Sequence, residues 1–245
     1  MQILEGHGVT KSFGGLAAVS NVDFHIDQGE ILGLIGPNGA GKTTLFNLIS
    51  AALPLKSGEI RFKGKKLNGL KPHKICQLGV ARTFQGIKIC ADMPVFQNVL
   101  VGAFFGSPNR VSGADAAKEA TQALEFVGLS EMRATPAKDL TLVNQKRVEV
   151  ARALATKPEV LLLDELMAGL NSAEISESME LVTRIRDKGI TIFMVEHVMK
   201  AIMGVCERIM VLHHGEKIAE GTPQEIAANK TVIEVYLGEE THAGS

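Results

Sequence analysis

Apolar residues recur along this chain in two registers. Short runs bounded by turn residues, namely Ile3-Leu4, Val22 to Ile26, Ile31 to Ile35 and Glu59 to Phe62, predict strands in the N-terminal third. A helix is predicted from about Lys42 to Ala52, after a glycine-rich turn. Between Gln85 and Leu140 the pattern changes: Val95 to Phe105 and Ala114 to Val127 show helical spacing around the loop Gly106-Ser107-Pro108-Asn109. This predicts a separate helical lobe. From Val160 the chain reads VLLLDE, a helical stretch Ser172 to Lys188, ITIFMVEH, a further helix, then Arg208 to Leu212 and Lys217 to Glu220. Such alternation predicts a mostly parallel sheet covered by helices. Residues 238–245 are short, polar and expected to be a flexible tail.

The stretch LTLVNQKRVEVARAL at 140–154 predicts an amphipathic helix from Lys146 onward. Val148, Ala151, Leu154 and Ala155 form its apolar face; Lys146, Arg147, Glu149 and Arg152 are expected on the other, with Thr141 and Asn144 as candidate caps. A helix start gathers unpaired N–H groups and a partial positive charge, which suits an anion.

Gly36-Pro37-Asn38-Gly39-Ala40-Gly41-Lys42-Thr43-Thr44 fits G-x-x-x-x-G-K-[ST] between a predicted strand and a predicted helix, the context that gives the pattern its meaning. Its glycines let backbone N–H groups wrap a phosphate chain, Lys42 supplies a charge toward the β- and γ-phosphates, and the Thr43 hydroxyl suits Mg²⁺. The chain is therefore expected to bind a nucleoside triphosphate. VLLLDE ends a buried strand in two carboxylates: Asp164 is the natural partner of Mg²⁺, and Glu165 the group to polarise an attacking water. Gln85 in RTFQG is expected to touch Mg²⁺ or water, His197 after ITIFMVE to hold the γ-phosphate or the water, and Phe13 in KSFGG to stack on the adenine ring.

Composition narrows the rest. Apolar residues make up 45% of 245 and charged residues 22%, and Lys plus Arg number 26 against 27 Asp plus Glu, so a nucleic-acid or anionic-membrane binder is not expected. Cys76, Cys90 and Cys206 are scattered and form no C-x-x-C pair, which argues for a reducing compartment and cysteines that merely pack. MQILEGHGV carries no basic-then-apolar signal pattern, and the longest apolar runs fall short of a membrane span. A cytoplasmic location is expected.

The order Phe13, GPNGAGKTT, Gln85, the helix at 145–155, VLLLDE and His197 resembles the nucleotide-binding subunit of ABC transporters over essentially the whole chain. GVARTFQGIKI, MPVFQNVLVG, AGLN at Ala168 to Asn171, AEGTPQEI and VIEVYLGEE are similar to the ATPases of branched-chain amino acid uptake systems. The resemblance implies an α/β P-loop NTPase of ABC-ATPase type: a mixed sheet core with an N-terminal antiparallel β region and an inserted helical lobe. The domain would span 1–237, with 1–85 and 156–237 in the sheet lobe and 86–155 in the helical lobe. It implies an ATPase using ATP and Mg²⁺, with Phe13 as A-loop aromatic, Gln85 in the Q-loop, Glu165 as catalytic glutamate and His197 as switch histidine. Thr43, Asp164 and Gln85 would hold the metal. It further implies transmembrane permease subunits, indirectly a periplasmic or extracellular substrate-binding protein, and a peripheral place on the inner face of the cell membrane. Another cargo such as urea, lipid export, or a regulatory subunit with little hydrolysis are the alternatives.

Family members pair head to tail, each ATP lying between one chain's phosphate loop and the other's signature loop, usually L-S-G-G-Q. That loop aligns with Leu140 to Asn144, where Thr141 keeps a hydroxyl for the partner's γ-phosphate but Leu142, Val143 and Asn144 depart from the pattern. A β-branched residue resists positive φ and puts methyl groups where backbone should approach phosphate. An impaired signature loop and a heterodimer with a second ATPase are expected. Leu166 also departs, standing where the family commonly has Pro.

Overall fold

A computed structural model of the protein describes residues 1–107, 109 and 111–240, with side chains described in the last helix as far as Tyr236. Two long strands, β1 (Gln2–Phe13) and β2 (Leu16–Asp27), form an antiparallel hairpin, and β1 also pairs antiparallel with β4 (Ser57–Phe62), which pairs with the short β5 (Lys65–Lys66). This four-stranded sheet is the antiparallel β region expected from the sequence, with strands longer than their apolar cores suggested.

The second sheet has six strands in the order β10-β9-β3-β8-β7-β6. They are β3 (Ile31–Ile35), β6 (Val80–Arg82), β7 (Val160–Asp164), β8 (Thr191–Val195), β9 (Arg208–His213) and β10 (Glu216–Gly221). Pairings among β6, β7, β8, β3 and β9 are parallel, and β10 closes the edge antiparallel to β9. Both faces of this sheet are covered, which is why its central strands read as unbroken apolar runs. Successive side chains divide between two cores. Ile31, Ile35, Leu161, Leu163, Ile192 and Met194 join one, while Leu32, Leu34, Leu162, Phe193 and Val195 join the other.

The second core lies against α1 (Lys42–Ile49) and the antiparallel sheet, with Phe193 packed on Phe46 at a centroid distance of 4.9 Å and on Phe24 at 5.9 Å. The first takes the apolar sides of α3 (Val95–Phe105), α4 (Gly113–Phe126), α5 (Leu142–Leu154), α6 (Ser172–Asp187) and α7 (Met199–Val205). Helices α3, α4 and α5 fall within the span expected for a helical lobe. Helix α2 (Pro72–Leu78) and strand β6 went unpredicted because both are short, and a two-turn helix leaves too little periodicity to recognise.

Helices α8 (Pro223–Ala228) and α9 (Lys230–Glu240) close the chain. The helical backbone runs past residue 237, so of the flexible tail expected over 238–245 only 241–245 lie outside the described residues. Pro108 of the predicted inter-helix loop lies outside them too. Of the three cysteines expected to pack, Cys206 is buried, Cys76 half-buried and Cys90 exposed, so Cys90 does not fill that role.

Truncating Phe193 to Ala removes the ring that joins α1 to both sheets. It is expected to lower unfolding free energy by about 3–5 kcal/mol, measured by denaturant titration of the purified chain.

Candidate functional site

Strand β3 ends at Ile35, and the next six residues turn back over the strand ends before α1 begins at Lys42. Two glycines are required there. Gly36 has φ 150° and Gly41 φ 103°, and a β-carbon would stand 2.1 Å from Leu212 O at the first and 2.3 Å from Ala18 O at the second. No side chain caps α1, so its first N–H groups remain available to an anion above the loop. Lys42 is buried, and its ammonium donates to Gly36 O at 2.5 Å and Pro37 O at 2.8 Å. The Gly215 N–H donates to Ala40 O, which ties the β9–β10 turn to the loop.

A pocket of about 210 Å³ opens over this loop, lined by Asn38, Gly39, Ala40, Gly41, Lys42, Thr43 and Thr44 from the loop and by Gln85, Glu165 and His197 from three other strand ends. These distant residues converge on one atom. Glu165 Oε1 accepts from Gln85 Nε2 at 3.0 Å and lies 2.9 Å from His197 Nε2. Gln85, His197 and Glu165, expected from the sequence to act together, are thus neighbours.

Asp164 and Glu165 are adjacent in sequence but differently placed. Asp164 ends β7, is 1% exposed, and its Oδ2 accepts from Arg82 Nη2 at 2.8 Å. Its Oδ1 is buried without a hydrogen-bond partner among the described residues. Burial pushes the Asp164 carboxyl above its ordinary range, against the pull of the Arg82 guanidinium. Glu165 then turns the chain with φ 52°, its N–H bonded to Val195 O at 2.9 Å. That left-handed residue sends the second carboxylate to the pocket, at a backbone cost of roughly 1–3 kcal/mol.

Two expected residues stand apart. Phe13 ends β1 with 49% exposure and does not line the pocket; its ring lies 5.4 Å from Lys11 Nζ. Thr141 lies at the start of α5 and also does not line this chain's pocket. Gly36, Pro37 and Asp164 do not line the pocket.

The structure corrects the expected helix at 140–155. Helix α5 starts at Leu142, not Lys146; Thr141 occupies the capping position without a side-chain cap bond, and Asn144 sits inside the first turn with its amide 3.5 Å from Met132 Sδ. Val143 has helical backbone and no positive φ, so the strain expected of a β-branched residue there is absent. Lys146 and Glu149, expected on the solvent face, are 8% and 4% exposed. Lys146 Nζ donates to Glu165 O at 3.0 Å and Ala168 O at 2.7 Å, and Glu149 Oε1 accepts from the Lys88 N–H at 2.8 Å. Sequence reasoning missed Arg82, Lys146, Glu149 and Glu196. A buried cation held by carbonyls leaves no trace in periodicity, although Arg82 and Glu196 each lie within three residues of a residue singled out, Gln85 and His197.

Glu196 is 2% exposed; its Oε1 accepts from the Met167 N–H at 2.8 Å, and its Oε2 has no hydrogen-bond partner among the described residues. Burial pushes this carboxyl up to about 7, opposed by the Met167 N–H and by Lys146. Burial also pushes the Lys146 ammonium down, opposed by Glu196, Glu149 and Glu165.

Residues 19–168 match the family model described as ABC transporter, and residues 216–242 match the one described as branched-chain amino acid ATP-binding cassette transporter. The chain is 38% identical over 250 residues to the high-affinity branched-chain amino acid transport ATP-binding protein BraF of Pseudomonas aeruginosa, covering 97% of this chain and 98% of that one. It is 40% identical, with the same coverage, to the corresponding protein LivG of Escherichia coli strain K12. Among solved structures, an ADP-bound ATP-binding cassette of an ABC transporter aligns with TM-score 0.89 and 29% identity over 97% of this chain and 99% of that one. A dimeric post-hydrolysis cassette bound to ADP and Pi aligns with TM-score 0.81 and 26% identity over 90% and 99%.

Two outcomes follow from the buried charges. Replacing Arg82 with Met strands Asp164 and is expected to cost about 3–5 kcal/mol of stability, most of it recovered in R82M/D164N, read by denaturant titration. For Glu196 the folded-state value lies above 4.5, so the folded chain binds more protons than the unfolded one between pH 4.5 and 7. Stability should therefore fall as pH rises through that window, by no more than roughly 3 kcal/mol. E196Q should flatten the dependence.

Proposed function

The chain belongs to the ABC transporter ATP-binding family, and from that premise we propose that it is the ATP-hydrolysing subunit powering import of branched-chain amino acids across a membrane. The relatives named for that cargo match it over nearly their full length, and the match at 216–242 extends the likeness to the C-terminal helices. Both observations favour this cargo over urea or lipid.

The observation that carries hydrolysis is the meeting of Gln85, Glu165 and His197 at one carboxylate oxygen beside the phosphate loop. In this reading the loop N–H groups and Lys42 hold the β- and γ-phosphates, Lys42 leaving the carbonyls of Gly36 and Pro37 to do so. Glu165 orients a water in line with the γ-phosphorus and takes its proton as the new P–O bond forms and the β–γ bridge breaks. His197 bonds to the same carboxylate and to the γ-phosphate. Phe13 stacks on adenine from the exposed end of the hairpin. A regulator that only bound nucleotide would need none of the Glu165 contacts.

The oxygen donors also suit Mg²⁺. Asp164 Oδ1 is buried and unbonded, Thr43 contributes a hydroxyl at the pocket wall, and Gln85, which donates through Nε2 to Glu165, retains its amide oxygen. A hard divalent ion held by these three would neutralise charge on the phosphates.

Among the described residues no helix is long and apolar enough to cross a membrane, so coupling to transport requires permease partners. We assign their docking to the groove of about 420 Å³ beside Gln85, lined by Phe84, Lys88, Val101 and Phe105, the last 72% exposed. In this reading the chain works at the inner face of the membrane, with a substrate-binding protein acting from the other side. The second ATPase is proposed to be a different chain. In this reading Leu142 and Val143, the first two residues of the helix that the signature loop opens, would put methyl groups where the partner's phosphate approaches its N–H groups.

E165Q is expected to lower ATP turnover by about 10²–10⁴-fold while trapping ATP. Light scattering of that variant with ATP should show a monomer alone and a dimer once a second ATPase of the same transporter is added. A homodimer formed without the second chain would overturn the heterodimer. V143G should strengthen ATP-dependent pairing; unchanged pairing would show that the methyl groups are no obstacle.

A further inference from the structure

Helix α5 is fastened to the turn that carries Glu165 at two points one helical turn apart. Leu142 lies over Gly169, where a β-carbon would stand 3.2 Å from Leu142 Cδ2. Lys146, four residues on and therefore on the same face, sends its ammonium into the turn itself, onto the carbonyls of Glu165 and Ala168. The other side of that turn is held by Glu196 through the Met167 N–H. Residues 165–168 thus lie between a buried cation from the helical region and a buried carboxylate from the end of β8, and neither contributes an atom to the pocket.

A buried ammonium is costly unless carbonyls or carboxylates surround it, and a hydrophobic residue would fill this space at less cost. What the ammonium adds is direction. Two carbonyl bonds fix the peptide planes on either side of a turn whose first residue, Glu165, already sits at φ 52°. We propose that Lys146 is a positioning residue for ATP hydrolysis: it holds the Glu165–Ala168 turn to the helix that begins at the signature loop, so that the orientation of Glu165 follows the position of that helix. The inference rests on the reading of Glu165 as the group that orients the attacking water. It makes one helix report twice on the state of the site, because Glu149 and Arg152 further along α5 bind the N–H and carbonyl of Lys88, three residues beyond Gln85.

The test compares K146M and K146R in the full-length chain, assembled with its permease and ATPase partners, with E165Q as the reference. K146M is expected to lose turnover by up to about 100-fold, the scale of an ångström's misplacement, with KM for ATP within twofold of wild type. K146R should restore most of it, since a guanidinium can reach the same carbonyls. In the free chain, amide exchange should quicken in the 164–170 segment of K146M and stay unchanged in β3 and β8. If K146M does not fold, K146Q is read in the same way. Wild-type turnover in K146M, a loss confined to KM, or unchanged exchange at 164–170 would overturn the proposal while leaving Glu165 intact. Wild-type turnover in E165Q would instead remove the role of Glu165 on which the proposal stands.

Discussion

The site depends on a single step of backbone at the end of β7. Asp164 is the last residue of a strand buried on both faces, and Glu165 the first residue outside it, held at φ 52° by a bond from its N–H to Val195. In an extended strand consecutive side chains already diverge, and a left-handed residue turns the divergence into two environments. One carboxylate goes to Arg82, the other into the pocket with Gln85 and His197. An L-residue in that conformation is disfavoured, and it persists here because the turn is bound from the helix and from β8 at once.

The parallel sheet makes that convergence possible. Strands β3, β7 and β8 all run the same way, so the phosphate loop, Glu165 and His197 leave from the same edge although the loop lies over a hundred residues from the other two in the chain. The two apolar cores hold this edge rigid from both sides, and the aromatic cluster of Phe24, Phe46 and Phe193 packs beneath the helix that follows the loop.

Helix α5 joins this rigid edge to the helical region through charged groups as well as apolar ones. Lys146, Glu149 and Arg152 each reach backbone of a loop that carries a pocket residue. Polar links of this kind have defined geometry, and bistable contact sets between a moving lobe and a fixed one are how small shifts become discrete states. The closing and reopening expected of an importer's ATPase needs such a link between nucleotide and partner.

The sequence by itself determined the phosphate loop, the paired carboxylates, Gln85 and His197, and the alternation of strand and helix, because each rests on local spacing or on short-range chemistry. It also carried the family. It did not determine the start of α5, the helical backbone of Val143, or the burial of Lys146 and Glu149. An amphipathic pattern sorts apolar from polar residues, and a lysine whose ammonium is met by carbonyls of a distant turn looks, to that pattern, like one that faces water. Only the tertiary fold supplies those carbonyls, and so only the fold decided that Lys146 and Glu149 of this helix turn inward and not to the solvent.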